Sequence, residues 1–447
     1  MNLWLALVVG LAAAPLTHPL DADECVRIAL GESGQLDEAE AKVRKYEARL
    51  AEVEAVYRPK IDATAYVAPM FKVHGGALDR DVDRDYSPGS WGPYAHLQAV
   101  LAQPFYSFGR VEAGEDAARG RADVERARLR ETRNTVALEV RRLYYTHLFA
   151  RSVLPALDSA AEIVAEAEGR ATELHESGSG DVTQVDLMKL SYGRAEVTRY
   201  QRIARDGADL ALSALKHTMG LPDEAPLVLA DQRLPPLGEA PEPALPELLR
   251  EASELRPEWA QLVHGEKAAL SLRDAERLAN APVAFLGASL AADWAPTRDD
   301  ADNPYHYDPY NQLTGGVAVG LKWDFDPWKA AARTDAAEAL GDRIAALRRF
   351  AATGIPLQVR KAHQAVAQHR DLVAISQQAV AATRKWMAFA AAAYKTGTGD
   401  ASDLLEGLVA YLQSRRTEYE QLHAYHESRA ELSFAIGRDG VLDAAAP

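Results

Sequence analysis

The sequence predicts a mixed α+β chain built from two internal repeats, each with a pair of membrane-length strands and a set of long helices. Three observations carry this. A Gly-x-Gly-Asp turn at Gly178–Asp181 recurs at Gly397–Asp400, about half the chain later, and each copy leads into a long helical segment that closes on an apolar residue and glycine (Gly220, Gly437). Such a spacing points to duplication of a large unit, not to a solenoid. Four runs of about ten to thirteen residues alternate apolar and polar side chains, the period of a strand with one apolar face. Between them lie helical patterns of about forty residues, longer than an ordinary globular helix.

The order within each repeat follows from local signals. Residues 1–22 open with an apolar run too short to span a bilayer as a helix, followed by polar sequence, and read as an export signal, although no Lys or Arg precedes the run. Cys25 is the only cysteine, so no intramolecular disulfide can form. Asp23 and Glu24 before it do not suit lipid processing, and Cys25 reads as an ordinary helix residue. The first repeat spans 23–220. A helix runs from Asp23 to Tyr57, with apolar residues at three- and four-residue steps, and ends at Arg58-Pro59, because proline biases its predecessor away from helix. Strands follow over 61–74 and 94–105, separated by an acidic Gly/Pro-rich loop. A helix then runs to about Phe149, Pro155 interrupts it, a shorter helix reaches Glu176, and the glycine turn leads into the helix ending at Met219-Gly220. Residues 221–246, rich in proline and acid, read as a connector.

The second repeat, 247–437, has the same order. A helix starting near Arg256-Pro257-Glu258-Trp259 runs to Asn280. Strands cover 283–294 and 314–325 around an acidic, Tyr-rich loop that includes Tyr305 to Tyr310. Helices are predicted from Lys329 to about Gln368 and on to Lys395, then the turn and the closing helix; 438–447 is a tail. Asp400 and Asp181 are placed to cap the helices after the turns, with Asp403 and Gln184 three residues on. No segment after the first is apolar enough to cross a bilayer as a helix, so any membrane passage is made by strands.

These features together resemble the TolC family of outer-membrane efflux proteins: the twofold order, the Arg-Pro-Glu-Trp near the second-half helix start, the aromatic strand ends before Gly109 and Pro327, and the turn-helix-glycine close of each half. The resemblance implies a homotrimer in which three times four strands form a twelve-stranded trimeric β-barrel in outer-membrane lipid, since four strands are too few to close one. The helices would continue it as a long α-helical barrel through the periplasm. It also implies a passive channel-tunnel of a tripartite efflux or type I secretion system, docking with a periplasmic adaptor and an inner-membrane transporter of RND or ABC type. No covalent chemistry and no cofactor are implied.

The resemblance places a pore gate at the second-half tip. Tyr394 matches a gating tyrosine, Asp403 and Glu406 match two acidic positions that ring the pore entrance, and Thr183 matches a threonine. Gln184 stands where the best-known member of the family has an aspartate and Gly399 where that member has an arginine, so a charged latch is not expected and any closing bond is neutral, for example Tyr394 to Gln184. Positions three apart share a helix face, and a ring of carboxylates attracts cations. The plainer readings are that Asp403 is a first-turn acid favoured by the helix dipole, that Glu406 is a solvated helix residue, and that His423 and His426, three apart, face solvent and do not share a metal. A net charge of −15 argues against a nucleic-acid partner. The chain lacks a phosphate-binding glycine loop, a nucleophile elbow and a metal-ligand cluster, which excludes the common enzyme classes. A soluble periplasmic coiled-coil adaptor or scaffold accounts for the helices but not for paired strands in each half.

Overall fold

A computed structural model describes residues 18–74, 83–177, 182–238, 243–298 and 309–439. The export segment over 1–17, the Gly178–Asp181 turn, most of the Tyr-rich loop and the tail beyond 439 lie outside the described residues. Two compact units are present. One takes 125–261 and 348–439 with the N-terminal residues to 43; the other takes 44–124 and 262–347. Each draws on both repeats.

The helical unit is organised by a doubled corner. In the first repeat, α1 (Ala22–Glu32) and α2 (Gly34–Glu54) have 11 and 21 residues; in the second, α5 (Leu245–Leu255) and α6 (Pro257–Arg277) have the same lengths. The sequence predicted one helix from Asp23 to Tyr57 and none as early as Leu245. The break falls at Ser33, which is extended and caps α1 through Ser33 N to Ala29 O, and at Arg256, extended because Pro257 follows it. A short β-bridge between Leu20 and Leu229 and the capping box of Asp21 with Glu24 fix the start of α1. Leu20 and Ala22 are buried in the core, so the folded body reaches back past residue 22, into the segment assigned to the export signal.

The other helices are α3 (Arg110–Glu176), α4 (Gln184–Thr218), α7 (Pro327–Thr396) and α8 (Ala401–Ile436). Two breaks predicted from sequence are absent. Helix α3 runs through Pro155, and α7 is continuous through Pro356 and past Gln368. A proline inside a helix costs about 3 kcal/mol. Around Pro155 the burial of Leu148, Leu157, Ala160 and Val164 offsets it. Two equivalent cores follow: α1 with Val136, Val140, Tyr144 and Leu148 of α3 and Leu215 of α4, and α5 with Val359 and Val366 of α7 and Leu432 and Ile436 of α8.

The closing glycines seat against the corners. Gly220 (φ +74°) would drive a Cβ to 2.1 Å from Glu32 O, and Gly437 (φ +89°) to 2.9 Å from Arg256 N. Only glycine fits either place. Arg256, buried, completes the second closure by donating Nη1 to Ala435 O at 3.0 Å and Nε to Glu258 at 2.9 Å. The Arg-Pro-Glu-Trp signature is thus a structural lock on the end of α8.

The second unit holds one antiparallel sheet. Its strands β1 (Lys60–Met70), β4 (Gly92–Tyr106), β5 (Val283–Trp294) and β6 (Gln312–Lys322) lie in the order β1-β4-β5-β6; a small hairpin, β2 (Lys72–His74) with β3 (Asp83–Asp85), follows β1. All four predicted strands are present, the first broken at Phe71. The register puts Ile61, Ala65 and Val67, Leu97 and Leu101, Leu286, Leu290 and Trp294, and Leu313, Val317 and Leu321 on one face. Tyr66, Tyr94, His96, Gln98, Asp293, Gln312 and Thr314 share the other. The apolar face is open: Val67, Val317 and Val319 are 74%, 82% and 74% exposed. Among the described residues the outer edges of β1 and β6 have no partner strand. No helix of the described residues is long and apolar enough to cross a membrane.

The sheet meets the helices at two places that correspond in the repeats but differ in chemistry. Before α3, Phe108 and Gly109 take positive φ (57° and 90°), and the buried Ser107 is tied to Tyr57 at 2.7 Å and to Glu112 at 3.0 Å. Before α7, Asp326 caps the helix by accepting Lys329 N at 3.1 Å, and Asn280 holds Trp323 Nε1 and Asp326 N.

Candidate functional site

The tip of the helical unit is where α3 turns into α4 and α7 into α8. In the second repeat, α7 ends in a wrapped turn: Gly397 takes φ +78° and Thr398 N returns to Ala393 O at 2.9 Å. Asp400 then caps α8, its carboxylate accepting Asp403 N at 2.8 Å. In the first repeat the cap is Thr183, two residues after the expected Asp181, which lies outside the described residues. Thr183 and Asp186 form a full capping box, with Thr183 Oγ1 accepting Asp186 N at 3.3 Å and Asp186 Oδ2 accepting Thr183 N at 3.0 Å. The Thr183 hydroxyl bond holds the Asp186 carboxyl below the usual carboxylate range. Gln184 is therefore the first helical residue and exposed, not a capping partner.

Tyr394 does not reach Gln184. Its ring packs with Leu190, Ala401 and Leu404, and its hydroxyl donates to Ala167 O of α3 at 3.2 Å. Burial pushes its phenol up from the ordinary value. The hydroxyl reaches a backbone carbonyl of α3 in place of Gln184, because the tyrosine points into the tip core. Gly399 has a steric reason: a Cβ there would meet Ala393 Cβ at 2.9 Å, so the turn lies close against α7 and a side chain fits only if a neighbour gives way. Close approach also marks Gly193, whose Cβ would meet Leu405, and Gly407, whose Cβ would meet Met387.

Asp403 and Glu406 lie on the exposed side of α8, and Leu404 and Leu408 between and beyond them are buried. The two acids share a face as the three-residue spacing requires, and both are free to face water. Across the repeats, Lys189 Nζ donates to Ser402 Oγ at 2.6 Å and Lys395 pairs with Glu166 at 2.9 Å. These cross-repeat ties escaped the sequence reading. Their partners lie in opposite halves of the chain, and no local pattern marks them.

His426 is a core residue, not a solvent-facing one, and His423 beside it is half-buried. His426 is buried, stacks on Tyr145 at 4.7 Å and donates Nε2–H to Pro235 O at 2.8 Å. Burial pushes its imidazole down to about 4. His423 Nε2 meets Thr146 Oγ1 at 3.2 Å instead. Among the described residues no group of three or more His, Cys, Asp and Glu side chains could hold a metal. Cys25 is fully buried in α1 and its thiol is pushed up to about 12 by burial and by the neighbouring Asp21 and Glu24.

With this geometry in hand, comparison with known proteins is direct. The pattern of the outer membrane efflux protein family matches residues 25–196 and 248–438, one match in each repeat. The Campylobacter jejuni CmeC outer membrane channel superposes with a TM-score of 0.77 at 16% identity, over 95% of this chain and 87% of that one. The outer-membrane channel OprN gives 0.73 at 17% identity over 93% and 89%. The outer membrane protein VceC of Vibrio cholerae gives 0.71 at 14% identity over 93% and 96%. No curated protein sequence matches.

Proposed function

Because the chain belongs to the outer membrane efflux protein family, we propose that three copies form one outer-membrane exit duct, a twelve-stranded barrel continued by the helical unit as a tunnel into the periplasm. It is a transport duct and not an enzyme. The observation that carries the trimer is the sheet itself: four strands, two open edges and one largely apolar, exposed face. An open edge and an uncovered apolar face are both unstable in water. Three copies remove the edges, lipid covers the apolar face, and the face of Tyr66, His96, Gln98 and Thr314 lines a watery interior, as in outer-membrane barrels. The exposed apolar residues of α4 (Val185, Met188, Tyr192) and of α7 (Phe350, Leu357, Phe389) supply helical contacts between copies.

The tip is the end that meets the rest of the export machinery, a periplasmic adaptor and an inner-membrane transporter of RND or ABC type. Threefold symmetry turns Asp403 and Glu406 into two rings of three carboxylates, which favour cations at the entrance. Tyr394 holds α7 and α8 to α3 beside it, and Thr183 and Gln184 form the facing first-repeat end. The test is conductance in planar bilayers. Asp403→Ala with Glu406→Ala should lower cation selectivity; unchanged selectivity would remove these acids from the constriction. Recovery of the protein as a freely soluble monomer would favour the scaffold reading and overturn the duct.

A further inference from the structure

At the loop end of the sheet the polar face carries a knot of side chains that the entrance does not use. Asp293, near the end of β5 and 8% exposed, accepts the Tyr94 hydroxyl at 2.5 Å and Gln312 Nε2 at 3.0 Å, and lies 2.7 Å from His96 Nδ1. One carboxylate thereby joins β4, β5 and β6. Asn311 brackets Ala295, two residues beyond Asp293, with Oδ1 accepting Ala295 N at 2.7 Å and Nδ2 donating to Ala295 O at 3.2 Å.

The knot decides which way the chain leans after the strands end. The Tyr310 ring meets Tyr94 edge-on at 5.8 Å, and the Arg298 guanidinium lies over Tyr310 at 4.1 Å. Gln312 Nε2 also reaches Pro309 O at 3.4 Å. Tyr94 and Gln312 both belong to the polar face, so residues 309–310 and Arg298 fold over that face and away from the apolar one. A bridge from Val73 of β2 to Arg298 holds the same segment from the first repeat.

On the duct reading, on which this step rests, the polar face looks into the lumen. We infer that Arg298 and Tyr310 form a second narrowing, at the exit, one stacked pair per chain, and that it sets the size of what leaves. Stacking of a planar cation on a ring and a fully bonded hub carboxylate both favour one fixed position over a swinging loop.

The experiment is polymer exclusion on the full-length protein in planar bilayers, with poly(ethylene glycol) of graded mass added to one side at a time. In the Arg298→Ala, Tyr310→Ala variant the largest polymer that enters from the loop side rises roughly twofold in mass, as a pore-lining constriction requires. The cutoff from the helix side stays where it was. Asp293→Asn, which keeps the shape of the hub but weakens its bonds, gives an intermediate loop-side cutoff and serves where the double variant does not assemble. A loop-side cutoff identical to wild type in the variants that assemble overturns the narrowing. Absence of any conductance in the wild-type protein would instead overturn the duct reading.

Discussion

The two units use the same residue types to opposite ends. In the helical unit Val136, Val140, Leu148 and Leu432 are fully buried, while in the sheet Val317 and Val319 are 82% and 74% exposed. Apolar burial contributes roughly 25 cal/mol per Å² wherever it happens; what differs is who supplies the other surface. The helices find it within the chain, through two equivalent corner-and-core assemblies. The sheet does not, and its apolar face and open edges are finished only by lipid and by further strands. A single chain is thus complete at one end of its chemistry and incomplete at the other.

Substitutions should separate the two. Leu432→Ala, in the second helical core, is expected to cost about 2–5 kcal/mol in any solvent, read from denaturant unfolding of the full-length protein in detergent. Val317→Arg is expected to cost about 2–4 kcal/mol when the protein is refolded into vesicles and little in a lipid-free monomer, where the side chain is already in water. Equal losses with and without lipid would break the contrast and return the sheet to a buried role.

Acid sharpens the comparison from the helical side. Folding holds the His426 imidazole at about 4, below its ordinary value, by burying it against Tyr145. His423 and His147 are lowered for the same reason. A base that is harder to protonate when folded leaves the unfolded chain holding more protons between about 6.5 and about 4. Stability therefore falls as pH drops through that window. The His426 contribution is on the order of 3 kcal/mol at its lower end, at about 1.4 kcal/mol per pKa unit. His426→Gln, which can still donate to Pro235 O, should flatten the fall in melting temperature between pH 7 and pH 5; an unchanged slope would assign the acid sensitivity to other groups.

What the sequence disclosed follows the physics of each pattern. The strands were legible because alternation is local, and the register adds only which neighbour each residue meets. Nothing but a Gly-rich surround marks the break at Ser33, whereas proline makes the Arg256-Pro257 break legible and only the short helix α5 before it has no clear start signal. Pro155 misled in the other direction, since proline weakens a helix locally but long-range packing holds it. At the tip, the repeat of the Gly-x-Gly-Asp turn favours Asp181 as the cap and masks the Thr-x-x-Asp box at Thr183, which is itself a local helix-start signal. The Tyr394 bond to Ala167 and the Lys189 bond to Ser402 join opposite halves of the chain and had no local trace.

The smallest expected effect decides between two roles for one acid. Helix α4 has a reciprocal box, Thr183 with Asp186, and α8 has only one side of the arrangement, Asp400 accepting Asp403 N. Thr183→Ala and Asp400→Ala should therefore each cost about 1 kcal/mol of local stability, read as faster amide exchange in the first turns of α4 and α8, with ion selectivity unchanged. Asp403→Ala should do the reverse, because its backbone N–H, not its carboxylate, makes the cap. A loss of protection in Asp403→Ala as large as in Asp400→Ala, with selectivity intact, would make the acid a helix-start residue and leave Glu406 alone to carry the ring.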